Sequence, residues 1–287
     1  MRIELSLAAL LLPVLLLAQE NVKVKGRIVN EQGEAVEYVQ IGLPKRQVGT
    51  ISTADGRFEM EVPRDTLEFF HVSYLPACYV VTGPSDDVVV ILREQELTPA
   101  VSIGGKTKEK YFLRPGKKVL GNAAIISTSL RDGRSEGREL GSVAQAKKPF
   151  LVTDILLSVR SNHIPGCVAS INIYRIEGKN ESFVNVLRKP IYFDISVSDD
   201  PLDYDIRPEE TLLLEPGKYF IAFQVAGCNE QALQDFLAKP EEGRKPWEMT
   251  LDFIAYFKSS YLRETALGAM EFFPVNIGIA VKGLEYQ

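Results

Sequence analysis

The sequence predicts an all-β protein of two β-sandwiches, of which the second is larger and carries one short helix. From Val22 onward, polar and apolar residues alternate with the period of two that half-buried strands show. Gly, Pro, Asn and Asp interrupt these runs at short intervals, as they do in turns between antiparallel strands. The chain has 287 residues, 45% of them hydrophobic and 25% charged, which is enough for two domains of ordinary size.

Residues 1–18 have the features of a secretory signal peptide. The apolar run over 7–18 is followed by polar residues and ends on the small residue Ala18. It is shorter than the roughly 20 apolar residues that cross a bilayer, and Pro13 interrupts it. We therefore expect cleavage after Ala18 and export of a mature chain without a transmembrane segment, which is then periplasmic, outer-membrane-associated or secreted. An uncleaved anchor or a buried core helix is the alternative.

The three cysteines of an exported chain allow one internal disulfide. Cys167 and Cys228 both lie in the second half, each directly after a Gly, and are the candidates for pairing. Cys78 lies in an apolar, strand-like run and is expected to be a small buried residue. Three unpaired buried thiols are the alternative, because no spacing such as C-x-x-C indicates metal or redox chemistry.

Residues 19–93 are predicted to form the first sandwich, from about seven short strands. An Asn30 to Gly33 turn ends the first of them, and Asp55-Gly56 gives the strongest hairpin signal in the chain. The strand-like runs are 22–25, 28–29, 36–43, 49–53, 58–62, 67–72, 78–81 and 88–92.

Residues 94–140 are predicted to be a linker, because charged residues are scattered there among Gly and Pro. One strand of their own is expected around 100–103. The stretch 131–139 has charges at more than half of its positions and lacks an apolar face, which predicts a mobile loop.

Residues 141–287 return to the strand pattern in longer units and predict a second, jelly-roll-like sandwich. A helix is expected over 229–237, where Ala232, Phe236 and Leu237 share one helical face and Pro240 ends the pattern. The predicted strands are 150–158, 169–176, 191–197, 219–225, 249–257 and 273–281.

Residues 24–36 and 49–58, with the run 67–74 that follows, resemble the carboxypeptidase-like regulatory domain. The resemblance covers roughly residues 21–93 and implies a transthyretin-like sandwich. That family occurs beside metallocarboxypeptidase catalytic domains and at the N-terminus of TonB-dependent transporters and other exported bacterial proteins. It implies an accessory role without catalytic residues. The short basic link over 41–48 lies where the family varies. The pattern of strand-like runs in the second half is similar to that of sandwich domains that accompany this module in secreted bacterial proteins.

No constellation in the sequence indicates catalysis or a cofactor. Neither His71 nor His163 has a carboxylate at the spacing of zinc ligands, and no G-x-S-x-G elbow occurs. Cys167 and His163 are close in sequence but lack a third orienting group. The acidic stretch 194–205 lacks the Gly and the closing Glu of a calcium loop. We therefore expect a protein that is not an enzyme, with no catalytic, cofactor or metal-binding residues.

Function is then expected to reside in surface recognition. A net charge of −5 argues against nucleic acid as a partner. Trp247, Tyr256 and Tyr261, with Phe272 and Phe273 nearby, are candidates for stacking on a ligand. The leading hypothesis is an exported binding or scaffold protein of the cell envelope, with an envelope protein or a glycan as partner. A glycan-binding accessory protein and a hydrolase with an unrecognised site are the alternatives.

Overall fold

The computed structural model describes residues 20–96, 104–131 and 137–287. These residues form several β-sheets and a single α-helix, so the predicted all-β sandwich fold is confirmed. The predicted signal peptide over 1–18, the strand expected around 100–103 and the centre of the predicted mobile loop lie outside the described residues. Within the described ranges, no helix has the length and apolar character needed to cross a membrane.

The N-terminal sandwich consists of two sheets packed face to face. One sheet has the strand order β4-β1-β7, with β1 and β7 parallel, and the other has the order β3-β2-β5-β6. In β4 every second residue, Phe58, Met60 and Val62, points into the core between them. The strands are β1 (Val22–Asn30), β2 (Gln40–Leu43), β3 (Val48–Ile51), β4 (Arg57–Val62), β5 (Thr66–Phe70), β6 (Ala77–Val80) and β7 (Ser85–Leu92), with a short 3-10 helix at Pro44–Arg46.

The Asp55-Gly56 turn forms, but the hairpin predicted for it is wrong. Gly56 has a φ of +76°, as such a turn requires. The strands on either side, β3 and β4, belong to different sheets. The Gly56 carbonyl accepts a hydrogen bond of 2.9 Å from the Ile28 N–H, so the turn lies against β1. It therefore carries the chain from one sheet of the sandwich to the other.

In the described residues, the second sandwich has seventeen strands, β8 to β24. Its large sheet has the order β15-β14-β19-β11-β22-β23, with β16 also paired to β14. The facing sheet has the order β17-β12-β24-β8, with β18 also paired to β12. Two smaller sheets, β10-β20-β13 and β9-β21, complete it. The strands are β8 (Thr107–Leu113), β9 (Lys117–Lys118), β10 (Ile125–Ser129), β11 (Glu139–Ala146), β12 (Phe150–Val159), β13 (Ser161–Asn162), β14 (Cys167–Glu177), β15 (Ser182–Asn185), β16 (Ile191–Ile195), β17 (Leu202–Ile206), β18 (Leu212–Leu214), β19 (Gly217–Gly227), β20 (Thr250–Ile254), β21 (Tyr256–Phe257), β22 (Ser260–Arg263), β23 (Met270–Phe273) and β24 (Ile279–Tyr286).

The predicted helix is present as α1 (Glu230–Leu237), which a short 3-10 helix at Glu241–Gly243 follows. The Asn229 side chain caps it by accepting a hydrogen bond of 2.9 Å from the Ala232 N–H. Phe236 is its buried residue and packs on the core of the second sandwich.

Much of the segment predicted as a linker forms strands that belong to the second sandwich. Strand β8 pairs along β24 and places Leu113 in the core of the second sandwich. Strand β10 pairs along β20 in full register. At the end of the predicted mobile loop, Glu139 is the first residue of β11 and is fully buried. The described part of 104–140 therefore supplies strands to the second sandwich.

Side chains along β14 and β19 alternate between the two faces of the large sheet, and residues pack against both faces. In β19, Tyr219, Ile221 and Phe223 point into the core against the facing sheet, whereas Phe220 and Ala222 point the other way. We call the latter side the outer face. The N-terminal sandwich packs on one end of the outer face, and we call the other end the open end.

Candidate functional site

The open end of the outer face carries a cluster of aromatic side chains, which we call the aromatic face. Strands β14, β15, β19, β22 and β23 each contribute to it, because alternate residues on neighbouring strands project from the same side of the sheet. Its members are Tyr174, Ile176, Phe183, Phe220, Tyr261, Met270 and Phe272.

The rings of the aromatic face fix one another in edge-to-face contacts. The Phe183 and Tyr261 ring centroids are 4.9 Å apart at an interplanar angle of 77°. Phe220 makes similar contacts with Phe183 at 6.1 Å and with Tyr261 at 6.0 Å. The Tyr174 ring stacks on Phe220 with its centroid at 6.2 Å. Such arrangements suit the aromatic quadrupole, so the surface is preformed rather than assembled by a ligand.

The aromatic face has a buried floor and an exposed rim. Phe220 and Tyr174 are buried, whereas Phe183 and Tyr261 are half-buried. Phe272 is 68% exposed and lies directly opposite Tyr261 in the β22–β23 pair. Side chains that are opposite in an antiparallel pair project on the same side, so Phe272 extends the platform beyond Tyr261 into solvent.

A polar group borders the rings. The Tyr261 hydroxyl donates a hydrogen bond of 2.6 Å to Glu181 Oε2, and Lys218 Nζ donates to Glu181 Oε1 at 2.8 Å and to the Tyr261 hydroxyl at 3.1 Å. Hydrogen bonding from Lys218 lowers the pKa of Glu181 and that from Glu181 raises the pKa of Lys218, so both stay charged at neutral pH. The rim therefore offers a carboxylate, an ammonium and a hydroxyl beside the rings.

A buried ion pair holds the aromatic face from below. Arg263 Nη1 forms an ion pair with Glu139 Oε2 at 2.9 Å, and the Tyr174 hydroxyl donates a hydrogen bond of 2.7 Å to Glu139 Oε1. Asn172 donates to the same Oε1 at 2.8 Å. Burial raises the pKa of Glu139, and the Arg263 charge opposes that shift. The network fixes the Tyr174 ring, on which Phe220 stacks.

The structure separates the three residues predicted to stack on a ligand. Tyr261 belongs to the aromatic face. Trp247 is half-exposed, and its ring lies 5.7 Å from the Lys245 ammonium. Tyr256 is half-buried on β21, opposite Lys118. They contact different neighbours and form no common platform.

Sequence reasoning missed Tyr174, Phe183 and Phe220. One signal for them was available, since Tyr219 and Phe220 are adjacent in β19 and must project to opposite faces. Aromatic residues on both faces of one strand indicate that both faces of the sheet are packed.

The two cysteines predicted as a pair lie at neighbouring ends of the paired strands β14 and β19. Cys167 is buried at the start of β14, and Cys228 is partly buried just beyond β19. The expectation that Cys78 is buried is wrong. It lies on the edge strand β6, where Ala77 and Tyr79 pack on the core and Cys78 is exposed.

Elsewhere, the described residues include no cluster of three His, Cys, Asp or Glu side chains placed to hold a metal ion. His163 lies 2.7 Å from Asp199, an exposed residue of the acidic stretch. A groove of about 260 Å³ lies beside residues 186–191 and 208–213, and its lining contains no His, Cys or Ser.

No family model matches the sequence, so its resemblance to the carboxypeptidase-like regulatory domain stays a prediction. No curated protein matches either. Among solved structures, the chain is similar to a DUF3823 family protein from Parabacteroides merdae, with 8% identity, 90% of this chain and 98% of that chain covered, and a TM-score of 0.21.

Two further structures give similar values. A DUF3823 family protein from Bacteroides ovatus has 9% identity over 69% of this chain and 97% of that one, with a TM-score of 0.22. A proposed carbohydrate-binding protein from Bacteroides uniformis has 10% identity over 72% of this chain and 99% of that one, with a TM-score of 0.21. Likeness at this level carries no argument about function.

Proposed function

We propose that this chain is an exported, non-catalytic binding protein that holds a carbohydrate on its aromatic face. Export rests on the predicted signal peptide over residues 1–18. Carbohydrate binding rests on one observation: the exposed Phe272 ring continues a preformed platform of half-buried rings beside the Lys218–Glu181 pair.

The chemistry of a sugar ring fits this arrangement. A pyranose presents a flat face of C–H groups, which packs on an aromatic ring, and a perimeter of hydroxyls, which needs donors and acceptors. Phe272 and Tyr261 offer the rings, and Lys218 and Glu181 offer the polar partners. A stable protein interface buries roughly 800 Å² on each partner. A few rings bordered by charges suit one or two sugar units better than such an interface.

The carboxylates near the aromatic face favour binding over hydrolysis. A glycosidase needs a general acid whose pKa is raised, and a second carboxylate across the bond to be cleaved. Lys218 instead lowers the pKa of Glu181. Glu139 is fully buried and bound to Arg263. Neither carboxylate is poised as an acid toward a ligand on the rings.

Binding of the mature chain to a glycan array, followed by titration calorimetry of the best ligand, tests this proposal. Phe272→Ala should weaken binding about tenfold, because one stacked ring is lost. Phe257→Ala removes a similarly exposed ring on β21, away from the aromatic face, and should leave the affinity unchanged. Equal affinities for both variants, or an array without a ligand, would contradict the proposal.

A second candidate function is an envelope scaffold that docks through the N-terminal sandwich. Val89 and Ile91 are exposed on β7, an outermost strand of its sheet, and Val80 is exposed on β6, an outermost strand of the other sheet. Exposed apolar edge strands invite pairing with a strand of another protein. Crosslinking in the envelope separates the two functions, because a captured protein that is lost with Val89→Lys and kept with Phe272→Ala supports the scaffold.

A further inference from the structure

Cys167 and Cys228 lie opposite each other at the ends of two paired strands. In the antiparallel β14–β19 ladder, Val168 is the partner of Gly227, with a bulge between Val168 and Ala169. The next residue on each strand is a cysteine. Facing residues in such a ladder have Cα atoms about 4.5–5.5 Å apart, which lies within the range that a disulfide spans.

Both thiols point to the same side of the sheet. Cys167 belongs to the core of the second sandwich, and Cys228 packs against that core. The backbone around them is hydrogen-bonded on both sides, since the Asn229 N–H donates to the Pro165 carbonyl at 2.8 Å beyond the pair. The strand pairing therefore holds the two cysteines opposite each other.

We propose that Cys167 and Cys228 form a disulfide in the exported protein. The oxidant is a disulfide-bearing exchange partner, such as oxidised glutathione or a periplasmic dithiol oxidase. The Cys228 thiolate attacks one sulfur of the oxidant, and a thiol leaves. The Cys167 thiol then loses its proton and attacks the Cys228 sulfur, and the second thiol of the oxidant leaves. The two cysteines are oxidised and the oxidant's disulfide is reduced to two thiols.

The two sulfurs differ in access, which sets the order of these steps. Cys228 lines a cavity of about 100 Å³ between the two sandwiches, together with Tyr38 and Leu233. Burial raises the pKa of Cys167 to about 12, so its thiolate is scarce once the core has closed. The bond therefore forms during folding and is shielded afterwards.

The proposed bond also fixes the corner on which the N-terminal sandwich rests. Gly227, next to Cys228, lies under the Tyr38 ring so closely that an added Cβ would be 2.5 Å from it. Asn229, on the other side of Cys228, caps α1. A disulfide between β14 and β19 at this point restrains both the approach of Gly227 to Tyr38 and the start of α1.

The test uses the full chain, purified after export to the periplasm of an expression host and, separately, refolded with oxidised and reduced glutathione. Non-reducing peptide mapping should recover the Cys167 and Cys228 peptides as one species, lighter by two hydrogens than their sum. Reduction should lower the thermal midpoint by roughly 5–15 °C. Cys78→Ser removes the exposed third thiol and should change neither result.

Cys228→Ala and Cys167→Ser should each abolish the linked peptide and make the thermal midpoint insensitive to reductant. The partly buried Cys228 makes the first variant the safer one to fold. Complete alkylation of both thiols in protein refolded with oxidised glutathione would overturn the proposal. A linked peptide that contains Cys78 would overturn it as well.

Discussion

Glu139 shows how a charged residue that looks like part of a loop becomes part of the core. It ends a stretch that is charged at more than half of its positions, and nothing local indicates burial. Its counter-ion, Arg263, comes from β22, which pairs with β11 so that the two residues face each other. Gly137, with a φ of +82°, turns the chain against Ala266 just before the strand begins. Glu139 and Arg263 are far apart in the sequence, so no local pattern predicts that they form a buried ion pair.

Removing one member of this pair should be costly. Glu139→Ala leaves the Arg263 guanidinium buried without a counter-ion and removes the acceptor of Tyr174 and Asn172. We expect a loss of about 3–5 kcal/mol in the free energy of unfolding, measured by urea denaturation. Glu181→Ala, at an exposed carboxylate, should change stability little. The pairwise replacement Glu139→Leu with Arg263→Met should recover part of the loss. A Glu139→Ala variant as stable as Glu181→Ala would refute this account.

We expect His71 to make the contact between the sandwiches sensitive to acid. It is 8% exposed, its Nε2 lies 3.5 Å from the Tyr192 hydroxyl, and its Nδ1 accepts a hydrogen bond from the Ser73 N–H. The Tyr74 ring lies 5.2 Å away. Burial lowers its pKa from 6.5 to about 4. The histidine is thus neutral in the folded protein over a range in which the unfolded chain binds a proton.

Stability from this group is complete above pH 6.5 and is lost as the pH falls toward 4, where the folded protein also takes up the proton. The full effect is about 3 kcal/mol. His71→Asn keeps an acceptor for the Ser73 N–H but does not titrate. Urea unfolding at pH 7, 5.5 and 4 should therefore show a steeper loss in the wild type than in this variant. Equal pH profiles would show that His71 carries none of the acid sensitivity.

Strands in which apolar and polar residues alternate were predictable from the sequence. Strands that lack this alternation were not. Strand β4 buries every second residue, and α1 begins one residue after the predicted start of the helix. Strand β8 was missed because most of its residues are exposed, and only Leu113 and Phe112 at its end pack in or on the core. Its place depends on hydrogen bonding along β24 at the other end of the chain. The Asp55-Gly56 hairpin failed for a related reason, since the turn fixes a local bend and long-range packing decides which strands pair.

The residues of the aromatic face were also predictable only in part. Tyr261 and Phe272 were recognisable because they stand near other aromatics late in the sequence. Phe183 and Phe220 look like ordinary core residues, and only the strand order places them beside Tyr261. Which end of the outer face stays open depends on where the N-terminal sandwich docks, and no local pattern encodes that.

Docking of the N-terminal sandwich organises the molecule around the outer face. Tyr38 packs on Tyr192 with ring centroids 5.1 Å apart. The Gln47 side chain accepts a hydrogen bond of 3.0 Å from the Ala269 N–H, and the Ser73 hydroxyl donates to the Arg188 carbonyl at 3.2 Å. These contacts cover one end of the sheet and leave the aromatic face open at the other. The position of the first sandwich therefore decides which part of the outer face is open to the proposed ligand.

Gly49 lies at a close contact between the two sandwiches, so stability should be sensitive to a larger residue there. A Cβ added at Gly49 would lie 2.0 Å from the Ala266 carbonyl oxygen, so Gly49→Ala must push the sandwiches apart or shift the β22–β23 loop. We expect a cost of about 1–3 kcal/mol. Gly83→Ala is the matched control, because nothing lies within 4 Å of an added Cβ at that position in the same sandwich.

Two optical signals can show whether Gly49→Ala lets the two sandwiches unfold separately. Trp247, the single tryptophan of the chain, lies in the second sandwich and reports on it by fluorescence, whereas far-ultraviolet circular dichroism reports on both sandwiches. Docked sandwiches should unfold together, so the two urea transitions should coincide in the wild type and in Gly83→Ala. In Gly49→Ala the circular dichroism transition should begin at lower urea than the fluorescence transition, because the N-terminal sandwich loses its support first. Coincident transitions in that variant at the wild-type midpoint would mean that the contact at Ala266 does not join the two sandwiches energetically.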